Sequence, residues 1–309
     1  MSGPPPGSAA DRESASGTGE EWSVRGGAVA LDRPVVVGIV NVTPDSFSDG
    51  GRHLDPGEAA ARARDLVRQG ADVLDVGAES TRPGAEPVAE EEEWRRLAPA
   101  LERITELPVP VSVDTRRSGT ARRALEAGAA IVNDVSGLES DPALAEVVAG
   151  SGAGLIVMHM RGTPRAMQED TEYRDLIGEV LDGLRSSVRR ARSAGCSAAQ
   201  LVVDPGIGFG KSARGSLRLL ARAGTFRRAG APVMVGPSRK SFIGETLDLP
   251  LEERVEATAA ACVVALERGA RLFRVHDVRP VRRALDMAAA IRSSEEARDE
   301  SPRSEERAD

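Results

Sequence analysis

Lysine is nearly absent from this 309-residue chain: of 41 basic residues only Lys211 and Lys240 are lysine. Arginine serves wherever a solvated positive charge suffices, so a retained ammonium points to a need for a compact donor on a flexible stem. Both lysines fall in glycine-containing loops after predicted strands. Lys240 reads as functional, and Lys211, opening a predicted helix, as a solvated lysine. Cysteine is scarce too. Cys196 and Cys262 show no C-x-x-C spacing, which excludes the usual zinc pattern and a disulfide framework and fits a reducing cytoplasm. There is no apolar run of about 18 residues to span a membrane. The Gly/Pro/Ser-rich start is no secretory leader, so a cytoplasmic protein is expected. A basic stripe is missing as well. The net charge is −7, and residues 293–309 hold seven acids against three arginines, leaving a nearly balanced body. That argues against nucleic-acid binding, which needs cations to displace counterions from phosphates.

What is present is a globular composition, with 40% hydrophobic and 29% charged residues. Residues 1–25 are expected to form a disordered tail, 26–292 one domain, and 293–309 an acidic disordered tail. Within the domain, short aliphatic runs alternate with longer segments of helical periodicity. Strands are predicted at 35–40, 73–76, 109–113, 131–133, 154–158, 201–203, 232–235 and 272–275. Helices are predicted at 56–69, 89–106, 118–127, 143–149, 173–194, 213–222, 251–268 and 281–291. Eight βα units predict a TIM (β/α)8 barrel. No G-x-G-x-x-G follows the first strand, which weakens a dinucleotide-binding reading.

In such barrels chemistry sits at the C-terminal ends of the strands. The unusual residues do follow strands: Asn41 opens the loop NVTPDSFSDGG, and ESTRPG carries Thr81, Arg82 and Pro83. Asp114, then Asn133 and Asp134, end the next two strands. Met158 begins MHMRG, Asp204 begins DPGIGFGK with Phe209, Ser238 and Lys240 lie in GPSRKSFIG, and Arg274 and His276 lie in RVHDV. Taken singly, Asp134 and Asp277 are equally readable as helix caps, His159 as a structural histidine, His53 as a loop residue and Met160 as core. Together, Asp114, Asn133, Asp204 and Lys240 suit a flat heterocycle with donor and acceptor edges. Arg82, Arg239, Arg274 and His276 supply cations suited to a diphosphate.

These eight motifs, in order from about Val36 to Val278, closely resemble the dihydropteroate synthase family. The resemblance implies condensation of 6-hydroxymethyl-7,8-dihydropterin diphosphate with 4-aminobenzoate, assisted by Mg2+ held in part by Asn41, in a homodimer. It assigns Asp114, Lys240 and Arg274 to catalysis. Thr81, Arg82, Asp114, Asn133, Met158, Asp204, Lys240, Arg274 and His276 would bind the pterin diphosphate. Thr81, Pro83, Phe209 and Ser238 would bind 4-aminobenzoate, where sulfonamides bind in the family. Ala78, Pro237 and Arg161 depart from the commonest wording without removing a named contact. Two alternatives stand beside this reading: a non-catalytic pterin-binding paralogue, and a methyltetrahydrofolate-dependent methyltransferase barrel. A dimer face is expected on Val255, Ala259, Cys262, Val263 and Leu266, a stripe that core packing explains equally well.

Overall fold

The computed structural model describes residues 20–42, 56–79, 86 and 88–299. It begins with an antiparallel hairpin, β1 (Glu21–Val24) and β2 (Gly27–Ala30). Eight parallel strands follow: β3 (Val35–Asn41), β4 (Val73–Gly77), β5 (Val111–Asp114), β6 (Ile131–Asp134), β7 (Gly154–Met158), β8 (Leu201–Asp204), β9 (Met234–Val235) and β10 (Leu272–Val275). Their order is β8-β7-β6-β5-β4-β3-β10-β9, and a bridge between Val203 and Val233 joins the ends into a barrel. The TIM-barrel expectation holds. Around the strands lie α1 (Pro56–Arg68), α2 (Glu90–Ile104), α3 (Ser118–Glu126), α4 (Ala143–Ser151), α5 (Leu176–Ser193), α6 (Ala213–Ala221), α7 (Ser241–Leu247), α8 (Val255–Glu267) and α9 (Val278–Asp299).

Strands covered on both faces read as aliphatic runs, because neither side meets water. In β3, Val35 and Val37 turn inward, while Val36 and Val40 pack outward against the helices. The helices answer with stripes at helical spacing. In α2, Leu97, Ala100, Leu101 and Ile104 are buried, Glu90 to Glu93 sit in the first turn and Arg103 in the last, charges that complement the helix dipole.

The barrel floor corrects the expected domain boundary. The hairpin begins at Glu21, inside the segment read as a tail, and Trp22 is fully buried. Trp22 packs with Val35, Val73, Ile131, Ile156, Val202 and Leu272, inward residues of six strands. Its indole N–H donates to the Gln200 carbonyl at 2.8 Å, satisfying the one polar atom of an otherwise apolar group. Gly154 makes room: a Cβ there would stand 3.0 Å from the indole. Two four-residue strands are too short for periodicity to announce them. At the other end α9 continues to Asp299, past the boundary expected at 293. The seventh unit also carries two helices, α7 and α8, where one was expected.

Candidate active site

The C-terminal strand ends open on a cleft lined by Ile39, Asn133, Val135, Met158, Asp204, Phe209, Gly236, Ser238, Lys240, Arg274 and His276. The strand pleat explains the convergence, since alternate residues share a face. Arg274 lies two residues beyond the floor residue Leu272, Asn133 two beyond Ile131, and Asp204 two beyond Val202. Asn41 stands one pleat beyond Ile39 and is half-buried.

Beneath the cleft lies a charge network. Arg274 donates from Nε to Asp75 at 2.5 Å and from Nη2 to Asp114 at 2.8 Å. Asn133 donates from Nδ2 to the same Asp75 oxygen at 3.1 Å. Two carboxylates thus fix the guanidinium plane, and Asn133 keeps its amide oxygen for a donor in the cleft. Burial pushes the Asp114 carboxyl up to about 7; Arg274 opposes this, and the charges of Asp75, Glu93 and Asp134 reinforce it. Burial likewise lowers Lys240 to about 7, against the pull of Asp204 and with Arg274 adding to the fall. The Lys240 ammonium donates to the Ile207 carbonyl and stands 4.3 Å from the centroid of Phe209. Asp204 is nearly fully buried, and its Oδ1 accepts from the Gly206 N–H at 2.7 Å. Burial raises its carboxyl, with Lys240 foremost in opposition.

Other expectations resolve differently. Asp134 is a turn residue, accepting from Ser136 N at 2.8 Å, Ser136 Oγ at 2.7 Å and Leu138 N at 2.6 Å. Arg239, read as a cation for the diphosphate, is tied up by Asp277, with Nε to Oδ2 at 2.7 Å. Asp277 is therefore an ion-pair partner. His276 meets the Ser238 hydroxyl through its backbone N–H at 3.1 Å and Nδ1 at 3.0 Å, linking the loops after β9 and β10. Arg161 stacks 3.6 Å above Tyr173 and pairs with Glu179 at 2.6 Å. Lys211, expected in solvent, is 3% exposed. Thr81, Arg82, Pro83 and His53 lie outside the described residues. The stem of the Thr81 loop is nevertheless held, because Glu79 pairs with Arg116 at 2.7 Å and Arg117 at 2.6 Å. Asp75 went unmarked in the sequence, where it is the lone acid of an aliphatic strand; that was its only signal.

A family model described as pterin binding enzyme matches residues 37–276. Dihydropteroate synthases of Synechocystis and Bacillus subtilis are 45% and 42% identical over 261 residues, covering 84% of this chain and 90% and 89% of theirs. The chain belongs to the dihydropteroate synthase family of pterin-binding enzymes. Among solved members, the Xanthomonas albilineans dihydropteroate synthase with 4-aminobenzoic acid superposes with a TM-score of 0.84 at 42% identity, covering 89% of this chain and 99% of that one. The Burkholderia cenocepacia dihydropteroate synthase complexed with 7,8-dihydropteroate gives 0.82 at 37% identity, covering 90% and 99%.

Proposed function

We propose that this chain condenses 6-hydroxymethyl-7,8-dihydropterin diphosphate with 4-aminobenzoate, forming 7,8-dihydropteroate and releasing diphosphate. One observation carries the reading: Asn133, Asp204 and Lys240 converge on a single cleft beside the fixed guanidinium of Arg274. With Oδ1 of Asp204 taken by Gly206, Oδ2 accepts from the 2-amino and N3 edge of the pterin, and Asn133 assists. Lys240 donates toward O4 and N5, Arg274 stacks on the ring, and Met158 supplies an apolar wall. Ser238, Phe209 and, by family resemblance, Thr81 and Pro83 form the 4-aminobenzoate side. His276 and, by family resemblance, Arg82 serve the diphosphate.

The chemistry needs no protein nucleophile. The C–O bond to diphosphate breaks with its electron pair leaving on oxygen, the dihydropterin spreads the resulting positive charge, and the amine nitrogen forms the new C–N bond as it loses a proton. Asp114 stabilises the developing cation by its charge. Mg2+ would neutralise the leaving diphosphate. Asn41 supplies a single neutral oxygen, and no group of three acidic, histidine or cysteine ligands occurs among the described residues. That donor set suits Mg2+ carried mainly by phosphate and water. Turnover is expected to stop in excess chelator and to return with added Mg2+; full activity in chelator would remove the metal from the scheme.

Incubating the protein with both substrates and identifying 7,8-dihydropteroate by mass tests the whole reading. A non-catalytic paralogue would bind the pterin and form none. The stripe expected at a dimer face is largely core, with Cys262 and Leu266 buried. A homodimer is better served by Val264 on α8 with Met287 and Ile291 on α9, which are 49%, 63% and 51% exposed; light scattering at working concentration checks the assembly state. No described helix is long and apolar enough to cross a membrane. The two free, buried cysteines support a cytoplasmic setting.

A further inference from the structure

The proposed function uses one of the two lysines and leaves Lys211 unexplained. Lys211 immediately precedes Ser212, the capping residue of α6, where a lysine would ordinarily reach solvent, yet its side chain turns inward and is buried. A buried ammonium must find acceptors for its N–H groups. Nζ has the His159 carbonyl at 2.8 Å and His159 Nδ1 at 2.9 Å. An ammonium only donates, so Nδ1 accepts and the imidazole carries its proton on Nε2. The ring is kept neutral: burial foremost, then the positive charge of Lys211, pushes it down to about 3. It packs so tightly on α5 that a Cβ at Gly183 would come within 2.5 Å of it.

The same His159 donates its backbone N–H to the Asp204 carbonyl at 2.9 Å. Gly206, whose N–H holds Asp204 Oδ1, has φ +70, and a Cβ on it would lie 3.0 Å from Lys211 Nζ and 2.0 Å from the His159 oxygen. The ammonium is therefore wedged under the turn that presents Asp204 to the cleft. Asp204 is faced by Lys240, Lys211 and Arg274; burial pushes Lys211 well below the ordinary lysine range, Asp204 opposes that fall, and Lys240 and Arg161 add to it.

We propose that Lys211 is a positioning residue for pterin recognition, its ammonium locking His159 to the Asp204–Gly206 turn and favouring the ionised Asp204 that receives the pterin N–H groups. The proposal rests on the assignment of Asp204 to the pterin. Burial drives the Asp204 carboxyl upward against its surrounding cations. Removing Lys211 takes away one of them, so Asp204 protonates at higher pH and can no longer accept both bonds.

Lys211→Met and Lys211→Gln, compared with wild type in steady-state kinetics for both substrates across pH, test this, with circular dichroism to verify folding. Wild-type protein that forms no 7,8-dihydropteroate would overturn the underlying function. With wild type active, KM for the pterin diphosphate should rise about tenfold or more. KM for 4-aminobenzoate should hold, and the acid limb of kcat/KM for the pterin should move to higher pH. Unchanged parameters in a folded variant overturn the proposal. So does an equal rise in both KM values, or a fall in kcat with the acid limb in place, since either marks a structural role. Failure of both variants to fold assigns Lys211 to the core and overturns it as well.

Discussion

Asp75 is a fully buried acid in the middle of an aliphatic strand, and the guanidinium of Arg274 is set between it and Asp114. A buried cation between two carboxylates stays charged and fixed, so proton traffic in the cleft falls to the carboxyl of Asp204, which burial raises, and to the pair Asp114 and Lys240. Both stand near 7, Asp114 raised and Lys240 lowered chiefly by burial. The signs give the profile. As pH falls through the Asp114 value the carboxylate is neutralised and the developing cation loses its counter-charge; as pH rises through the Lys240 value the ammonium loses a proton. We therefore expect kcat/KM for the pterin diphosphate to be a narrow bell with both limbs close to neutrality. Asp114→Asn should lower the rate and leave the acid limb to Asp204 alone. Lys240→Arg should erase the basic limb and abolish most activity, because the wider guanidinium displaces the ring, and a displacement near 1 Å can cost about 100-fold. A flat profile between pH 5 and pH 9, on the order of two units either side of the ordinary optimum, would contradict these roles. At this scale the place of Lys240 was legible from composition together with its loop position after a strand, since an ammonium survives where arginine is otherwise universal. Lys211 carried the same signal and was misread, because helix-start position suggests solvent and only tertiary packing turns the side chain inward. The pairing of Arg239 with Asp277 was likewise invisible, joining two loops 38 residues apart.

Elements were more legible than contacts. Most barrel strands are aliphatic runs that end in a polar loop, usually glycine-bearing, and that change of character marks the strand end and the site together. The hairpin β1–β2 lacks both marks, having four residues per strand and no chemistry. Its importance lies in Trp22, which closes the apolar floor beneath inward residues of six strands. Trp22→Ala should cost about 3–5 kcal/mol through the cavity it leaves, seen as a lower denaturation midpoint with an unchanged slope. Because the hairpin packs at the N-terminal ends of the strands, with Arg25 N donating to the Ala130 carbonyl at 3.1 Å, both KM values should stay as they are. A loss of less than about 1 kcal/mol, within the range of ordinary surface substitutions and small repacking, would show that the floor does not depend on the indole.

Across the whole molecule the ring is unevenly closed. Strands β3 and β4 pair through five registered positions and β6 and β7 through four, but β8 joins the far side only by a bridge from Val203 to Val233, just before β9, with Val203 N donating to the Pro232 carbonyl at 2.9 Å. Asp204 ends β8 and Lys240 follows β9, so a pterin held by both spans the seam where the backbone holds least. Binding to the closed form opposes any opening that destroys the site, by about 2.7 kcal/mol at a ligand concentration about 100 times Kd, which slows exchange through such openings about 100-fold. Openings that leave the site intact are not slowed. Saturation with 6-hydroxymethyl-7,8-dihydropterin diphosphate should therefore slow amide hydrogen exchange most in peptides covering 201–204 and 232–236, and little in the hairpin at 21–30, which opens independently of the cleft. In Asp204→Asn, which replaces an acceptor by a donor aimed at the ring's own N–H groups, the seam should exchange as in the ligand-free protein. Hydrogen exchange followed by mass spectrometry distinguishes the outcomes: protection centred on β4 and β5 with an unchanged seam would place the ligand elsewhere around the ring, away from Asp204 and Lys240.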